Sequence, residues 1–284
     1  MRFVATLLLW LVTTVLLAGA VPAAWAQKTL IDQNGYAAFA AEAARDPQLQ
    51  RALAGELSSQ VVTLAAQNGA DVNPALVRMI ASAYTASPSF PGQFAQANRF
   101  AHRWAFTDTI GSDLDAQGRW VVDLAPMLAD SAFAQTLSEL SVQVPQTLPV
   151  PMTENVSAAL QPGQLRPLAT WGPWASVGGA ILTGVFALLT LASARSRGKA
   201  LAALGVSALL VGAAGWGGLE VGRRYVNRAL NTTSGDVRQA ADAMVGHAIG
   251  SLHHWLNLTI AAGAALVVVG ALVAMLGGLR RRDR

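Results

Sequence analysis

The chain has 284 residues, of which 53% are hydrophobic and only 13% charged, with a mean hydropathy of +0.39, so apolar segments take up more of it than a soluble core uses. The absence of cysteine excludes disulfide staples, thiolate metal sites and a cysteine nucleophile together. A net charge of +4 and a pI near 10.1 do not make it a nucleic-acid binder, because the basic residues form no stripe interleaved with aromatics.

Residues 1–27 open with Arg2 and continue as an uncharged run from Phe3 to Gln27. A helix rising ~1.5 Å per residue needs roughly 20 residues to cross ~30 Å of hydrocarbon, so this run is long enough. Ala24, Trp25 and Ala26 behind Pro22 offer a small-x-small cleavage signal. The single basic residue in front and an apolar run longer than the usual h-region of about 7 to 15 residues favour a retained signal anchor over a cleaved signal peptide.

Residues 28–170 hold 8 Lys/Arg and 12 Asp/Glu, a net of −4, and are long enough for one domain with its own core. Their first half reads as helices. Asp46 and Pro47 start one that carries Leu49, Leu53, Leu57, Val61 and Leu64 on one stripe and stops near Gly69. Asn73 with Pro74 starts a second, and Ser87 with Pro88 a third. On the third, Phe90, Phe94, Ala97, Ala101 and Trp104 form the expected apolar stripe, with Arg99, His102, Arg103 and Phe106 on neighbouring faces. Arg99, His102, Arg103 and Asp108 make the best available functional surface. A histidine pKa near 6.5 suits general-base work. No G-x-S-x-G, H-E-x-x-H or S-x-x-K motif accompanies it, so no catalytic residue is assigned, and His102 is expected to orient or cap within the domain.

Beyond this helix, Asp113, Asp115, Gln117 and Gly118 resemble the start of a calcium loop, but Leu124 stands where the closing glutamate belongs. A polar turn into a strand at Arg119–Leu124 is expected instead. A helix over residues 129–143 and a proline-interrupted extended stretch over 146–160 follow, the latter able to pair with the strand. The expected fold class is therefore a mainly α membrane protein: a helical extracytoplasmic domain with a small β element, plus four transmembrane helices, or three if the first is cleaved.

Uncharged runs at 171–194, 200–219 and 255–279 supply the other three spans. The loop 195–199 holds Arg195, Arg197 and Lys199, and the tail 280–284 holds Arg280, Arg281, Arg282 and Arg284. Positive-inside bias puts both of these in the cytoplasm and the acidic domain outside. Residues 220–254 strain the rule, since Arg223, Arg224, Arg228 and Arg238 outnumber Glu220, Asp236 and Asp242 on the side that should be external. They read as an amphipathic helix pair on the outer leaflet or, preferably given the opposite charge, docked against the acidic domain. Trp171, Trp174 and Trp255 mark membrane interfaces, and Gly205, Gly212, Gly215, Gly217 and Gly218 allow close helix approach. No span contains an ionisable residue, which argues against a self-sufficient transporter. His247, His253 and His254 form a histidine cluster near the outer end of the last span; they are expected to be interfacial, and no metal or cofactor is assigned.

The order of these stretches resembles a group of actinobacterial four-span integral membrane proteins with one extracytoplasmic domain. The motifs are D-P-x-(V/L)-Q at Asp46, Pro47, Leu49 and Gln50, the Ala101–His102 pair, and V-x-(V/L)-D-L around Val121, Val122, Asp123 and Leu124. That resemblance implies a multi-pass plasma-membrane protein facing the cell wall, and no activity. The expected function is a non-enzymatic envelope protein whose partners are the lipid bilayer and a membrane or cell-wall protein, not nucleic acid. The alternatives are an enzyme acting on an envelope substrate, using the Arg99 to Asp108 run, and an accessory subunit of a transporter.

Overall fold

The computed structural model describes residues 2–67, 69, 71–107, 121–123, 149–151, 163–232 and 235–282. In chain order the elements are helix α1 (Arg2–Ala26), a π-helical turn (Gln27–Ile31), α2 (Gln33–Ala43), α3 (Pro47–Gln67), α4 (Pro74–Thr85), α5 (Phe90–Phe106), strands β1 (Val121–Asp123) and β2 (Pro149–Pro151), α6 (Arg166–Ser193), α7 (Arg197–Ala229), a 3-10 turn (Leu230–Thr232) and α8 (Gly235–Arg282). They divide into two units: a membrane unit of residues 1–31, 170–231 and 246–284, and a helical domain of residues 32–169 and 232–245.

Among the described residues, four helices are long and apolar enough to cross a membrane: Phe3–Ile31, Arg166–Ser193, Arg197–Ala229 and Gly235–Leu276. Each extends past the run of uncharged residues that marks it in the sequence. Residues 220–254 accordingly do not form a separate helix pair. Those before the turn continue α7 and those after it begin α8, because nothing between Gly198 and Ala229 breaks an i to i−4 ladder. Leu7, Leu8, Trp171, Trp174, Ile181 and Leu188 are exposed, as side chains facing lipid are.

Two kinds of contact hold this unit together. The first is glycine-mediated. Gly198, Gly205 and Gly212 recur every seven residues on α7, and Gly263 and Gly270 answer them on α8. A Cβ on Gly205 would stand 2.6 Å from the Gly263 carbonyl oxygen, and one on Gly263 would stand 2.8 Å from that of Gly205, so the two backbones touch. The second is polar, through hydroxyls and one indole N–H. Thr6 meets Ser193 at 3.1 Å and Thr13 meets Thr190 at 3.5 Å, joining α1 to α6. Thr14 bonds Ser207 at 2.8 Å, and the Trp10 indole N–H donates to the Ala203 carbonyl at 2.8 Å, joining α1 to α7.

The helical domain begins where Asp32 caps α2 by accepting from the Gly35 N–H at 2.7 Å. As the sequence implies, Asp46 accepts from the Gln48 N–H at the start of α3, Asn73 accepts from Ala75 at the start of α4, and Gly69, at φ +72°, follows the end of α3. The core joins Ala43, Leu49 and Ala243, with Leu53, Phe94, Ala240 and Met244 packed on it. The first residues of α8 are thus part of this domain's core.

Three further expectations need correction. The α3 stripe fades: Leu49 is fully buried but Val61 is 47% exposed, and the buried face runs instead through Ala52, Ala54, Gly55 and Ser58. Close packing selects small side chains there, and the Asp236 side chain lies where a Gly55 Cβ would be. Secondly, α5 starts at Phe90 after Ser89 rather than at Pro88: the Phe90 N–H donates to the Ser87 carbonyl at 3.2 Å in the preceding turn, and Pro91 stands in the first turn of the helix. Thirdly, the expected sheet reduces to one antiparallel ladder of three residue pairs, Val121 with Pro151 to Asp123 with Pro149, too short to form a layer of the described domain. The calcium-like stretch 113–118, Leu124 and the helix expected over 129–143 lie outside the described residues.

Candidate functional site

Helix α5 carries Arg99, His102 and Arg103, three of the four residues expected from sequence to form a functional surface, and burial sets them apart. His102 and Trp104 are buried, whereas Ala101 and Arg103 are exposed and Arg99 is half-buried. The apolar stripe is therefore rotated: His102 lies on the inner face and Ala101 on the outer. A residue reading that counts only hydrophobicity places an imidazole outside, but a flat ring between two other rings is well accommodated inside.

Those rings are Phe106, stacked on His102 at 4.2 Å between centroids with planes 15° apart, and Tyr36 of α2, at 5.3 Å. Tyr36 in turn stacks on Phe39 at 6.1 Å. Burial raises the Tyr36 phenol above its ordinary value of 10, since desolvation disfavours the phenolate. Helix α2 is the part of this cluster that the sequence reading missed. Its signal was present, in Asp32 as a cap and in Tyr36, Phe39, Ala40 and Ala43 at three-to-four spacing.

Arg103 turns away from His102 and lies over the Phe100 ring at 4.8 Å. The C-terminal end of α5 is tied down by residues 163–165: the Gly163 N–H donates to the Trp104 carbonyl and the Leu165 N–H to the Ala105 carbonyl, both at 3.0 Å. Asp108 lies outside the described residues. Of the four named residues, then, His102 is enclosed in an aromatic sandwich, Arg103 is on the surface, and Arg99 sits between.

The second cluster, in the membrane unit, does not converge either. His253 stacks on Trp216 of α7 at 3.8 Å, and the Trp216 indole donates to the Asn257 side chain at 3.2 Å. His254 is exposed one position on, and His247 is half-buried about two turns earlier on α8. Among the described residues no group of three His, Asp or Glu side chains is placed to hold a metal ion.

The chain matches no protein-family model, no curated protein and no solved structure in the comparisons made with each.

Proposed function

We propose that this chain is a non-enzymatic multi-pass protein of the plasma membrane, with its helical domain and a small β element outside the cytoplasm, where the domain binds a protein partner of the cell envelope. The four apolar helices support the membrane assignment, and the cationic 195–199 loop and C-terminal tail support the orientation. The observation that carries the binding reading is the enclosure of His102. The histidine on which the catalytic alternative rests is buried between Tyr36 and Phe106, where its ring supports α2 against α5. Exposed apolar side chains of the kind a partner covers lie elsewhere in the domain, at Val61 on α3 and Met79 on α4.

The same reading keeps the first span as an anchor. Thr6, Trp10, Thr13 and Thr14 all bond across to other spans, in a setting where interhelical polar contacts substitute for absent water. Cleavage after Ala26 would remove every one of these contacts. Intact-mass analysis of the protein purified from native membranes is expected to find the Arg2 segment still attached; a mass lacking it would reverse this part.

Cross-linking and affinity purification from native membranes test the function. A stoichiometric partner is expected with the wild type and with His102→Phe, and its loss is expected with Val61→Glu/Met79→Glu. Absence of any partner, together with an altered envelope component on deletion of the gene, would favour the enzymatic alternative.

A further inference from the structure

The end of the membrane unit that carries Trp171 and Trp174 is cationic, and it is built to stay so. Helix α7 has 33 residues, of which the uncharged run ends at Leu219. The last ten residues therefore project roughly 15 Å beyond the apolar run at ~1.5 Å per residue. Over Val221 to Val226 every residue is exposed, so this projecting part is open on all sides, and Arg228 is exposed as well. Among the described residues, Arg223, Arg224 and Arg228 have no carboxylate within ion-pair distance. Arg228 instead lies over the Tyr225 ring at 5.4 Å, and Tyr225 is 65% exposed.

Neighbouring helices bring matching features to the same end. Lys28 lies over the Trp255 ring at 5.7 Å, His253 braces Trp216, and Gln27 packs on Gly172, one residue from the exposed Trp171. Tryptophan settles at headgroup depth, and Arg223 and Arg224 follow Trp216 by about two turns, roughly 11 Å at ~1.5 Å per residue, in the zone of lipid phosphates, with Tyr225 and Arg228 in the next turn. Arginine matches phosphate with paired N–H donors. Among the described residues of the membrane unit, Glu220 is the one carboxylate set against Arg223, Arg224, Arg228 and Lys28.

From this geometry we infer that the projecting end of α7, through Arg223, Arg224 and Arg228 with Tyr225 among them and Trp216 beneath, is a binding site for anionic phospholipid headgroups of the adjoining leaflet. The inference rests on the four helices crossing a bilayer and not on which leaflet this is. It also gives a reason for the arginines that strain the positive-inside pattern: the lipid supplies their counter-charge. Docking of the segment on the acidic domain is the competing occupant.

The test uses the full-length protein in detergent, with native mass spectrometry during titration of phosphatidylglycerol or of phosphatidylcholine with the same acyl chains. Wild type is expected to bind phosphatidylglycerol more tightly. The variant Arg223→Gln/Arg224→Gln/Arg228→Gln is expected to lose roughly tenfold or more of that preference, because each cation near a charged surface contributes separately. Lysine at the same three positions is expected to keep most of it, which separates lost charge from lost fold. Equal affinity of wild type for the two lipids, or a glutamine variant as selective as wild type, overturns the proposal. A photoreactive residue at position 225 in phosphatidylglycerol nanodiscs is expected to capture lipid; capture of residues 32–169 of the same chain also overturns it.

Discussion

His102 shows how little a residue's type says about its task. Its sequence neighbours, Arg99 and Arg103, make it look like the centre of a charged site, yet Phe106 of its own helix and Tyr36 of another pack against its ring. Replacing it by alanine removes an aromatic ring from a packed sandwich, and we expect a cost of about 2 to 3 kcal/mol. His102→Phe, which keeps a ring, is expected to cost clearly less; equal losses in thermal melts of the detergent-solubilised protein would mean that ring packing is not what His102 supplies. Tyr36 gives a pH signature. Its phenol is protonated in both folded and unfolded chains at neutral pH and contributes no pH dependence there. As pH rises past about 10 the unfolded chain ionises first, since burial holds the folded phenol higher. Stability should therefore fall above pH 10, and fall less in Tyr36→Phe. Parallel melting curves for the two proteins through that range would remove the argument.

Helix contacts turn on what stands opposite each glycine. At Gly205 the obstacle to a side chain is the backbone of α8. Backbone cannot rotate aside, so Gly205→Ala should push the two helices apart at a cost of about 1 to 3 kcal/mol. At Gly55 the obstacle is the end of the Asp236 side chain, which can swing away, and alanine also gains helix propensity of roughly 1 kcal/mol over glycine. Gly55→Ala is expected to be nearly neutral, and Gly217→Ala, with nothing within 4 Å, neutral or stabilising. Melting temperatures ranked in any other order, with Gly205→Ala not the lowest, would contradict the packing. The sequence marked Gly205 and Gly212 as small, but so were Gly217 and Gly218; only the partner helix separates those that touch it from those that face outward.

For the whole molecule the testable quantity is sidedness. Because the chain has no cysteine, single cysteines report cleanly. In intact cells a membrane-impermeant maleimide is expected to label Asn231→Cys and Met79→Cys but not Ser196→Cys, which should react only after the membrane is opened. Labelling of Ser196→Cys in intact cells would invert the proposed orientation.

Charge-free length and helix caps are local properties, and so the chain alone determined the four apolar helices and the starts of α3 and α4 at Asp46 and Asn73. Each needs only the residues within a few positions of it. What surrounds His102, why Val61 stays exposed while Ala52 and Ser58 are buried, and where α8 stops belonging to one unit and joins the other depend on residues far apart in sequence. A stripe of apolar residues predicts that one face will be covered but not which helix covers it or how closely. Tertiary packing decided those points, because contact requires two surfaces and the periodicity of a helix describes only one.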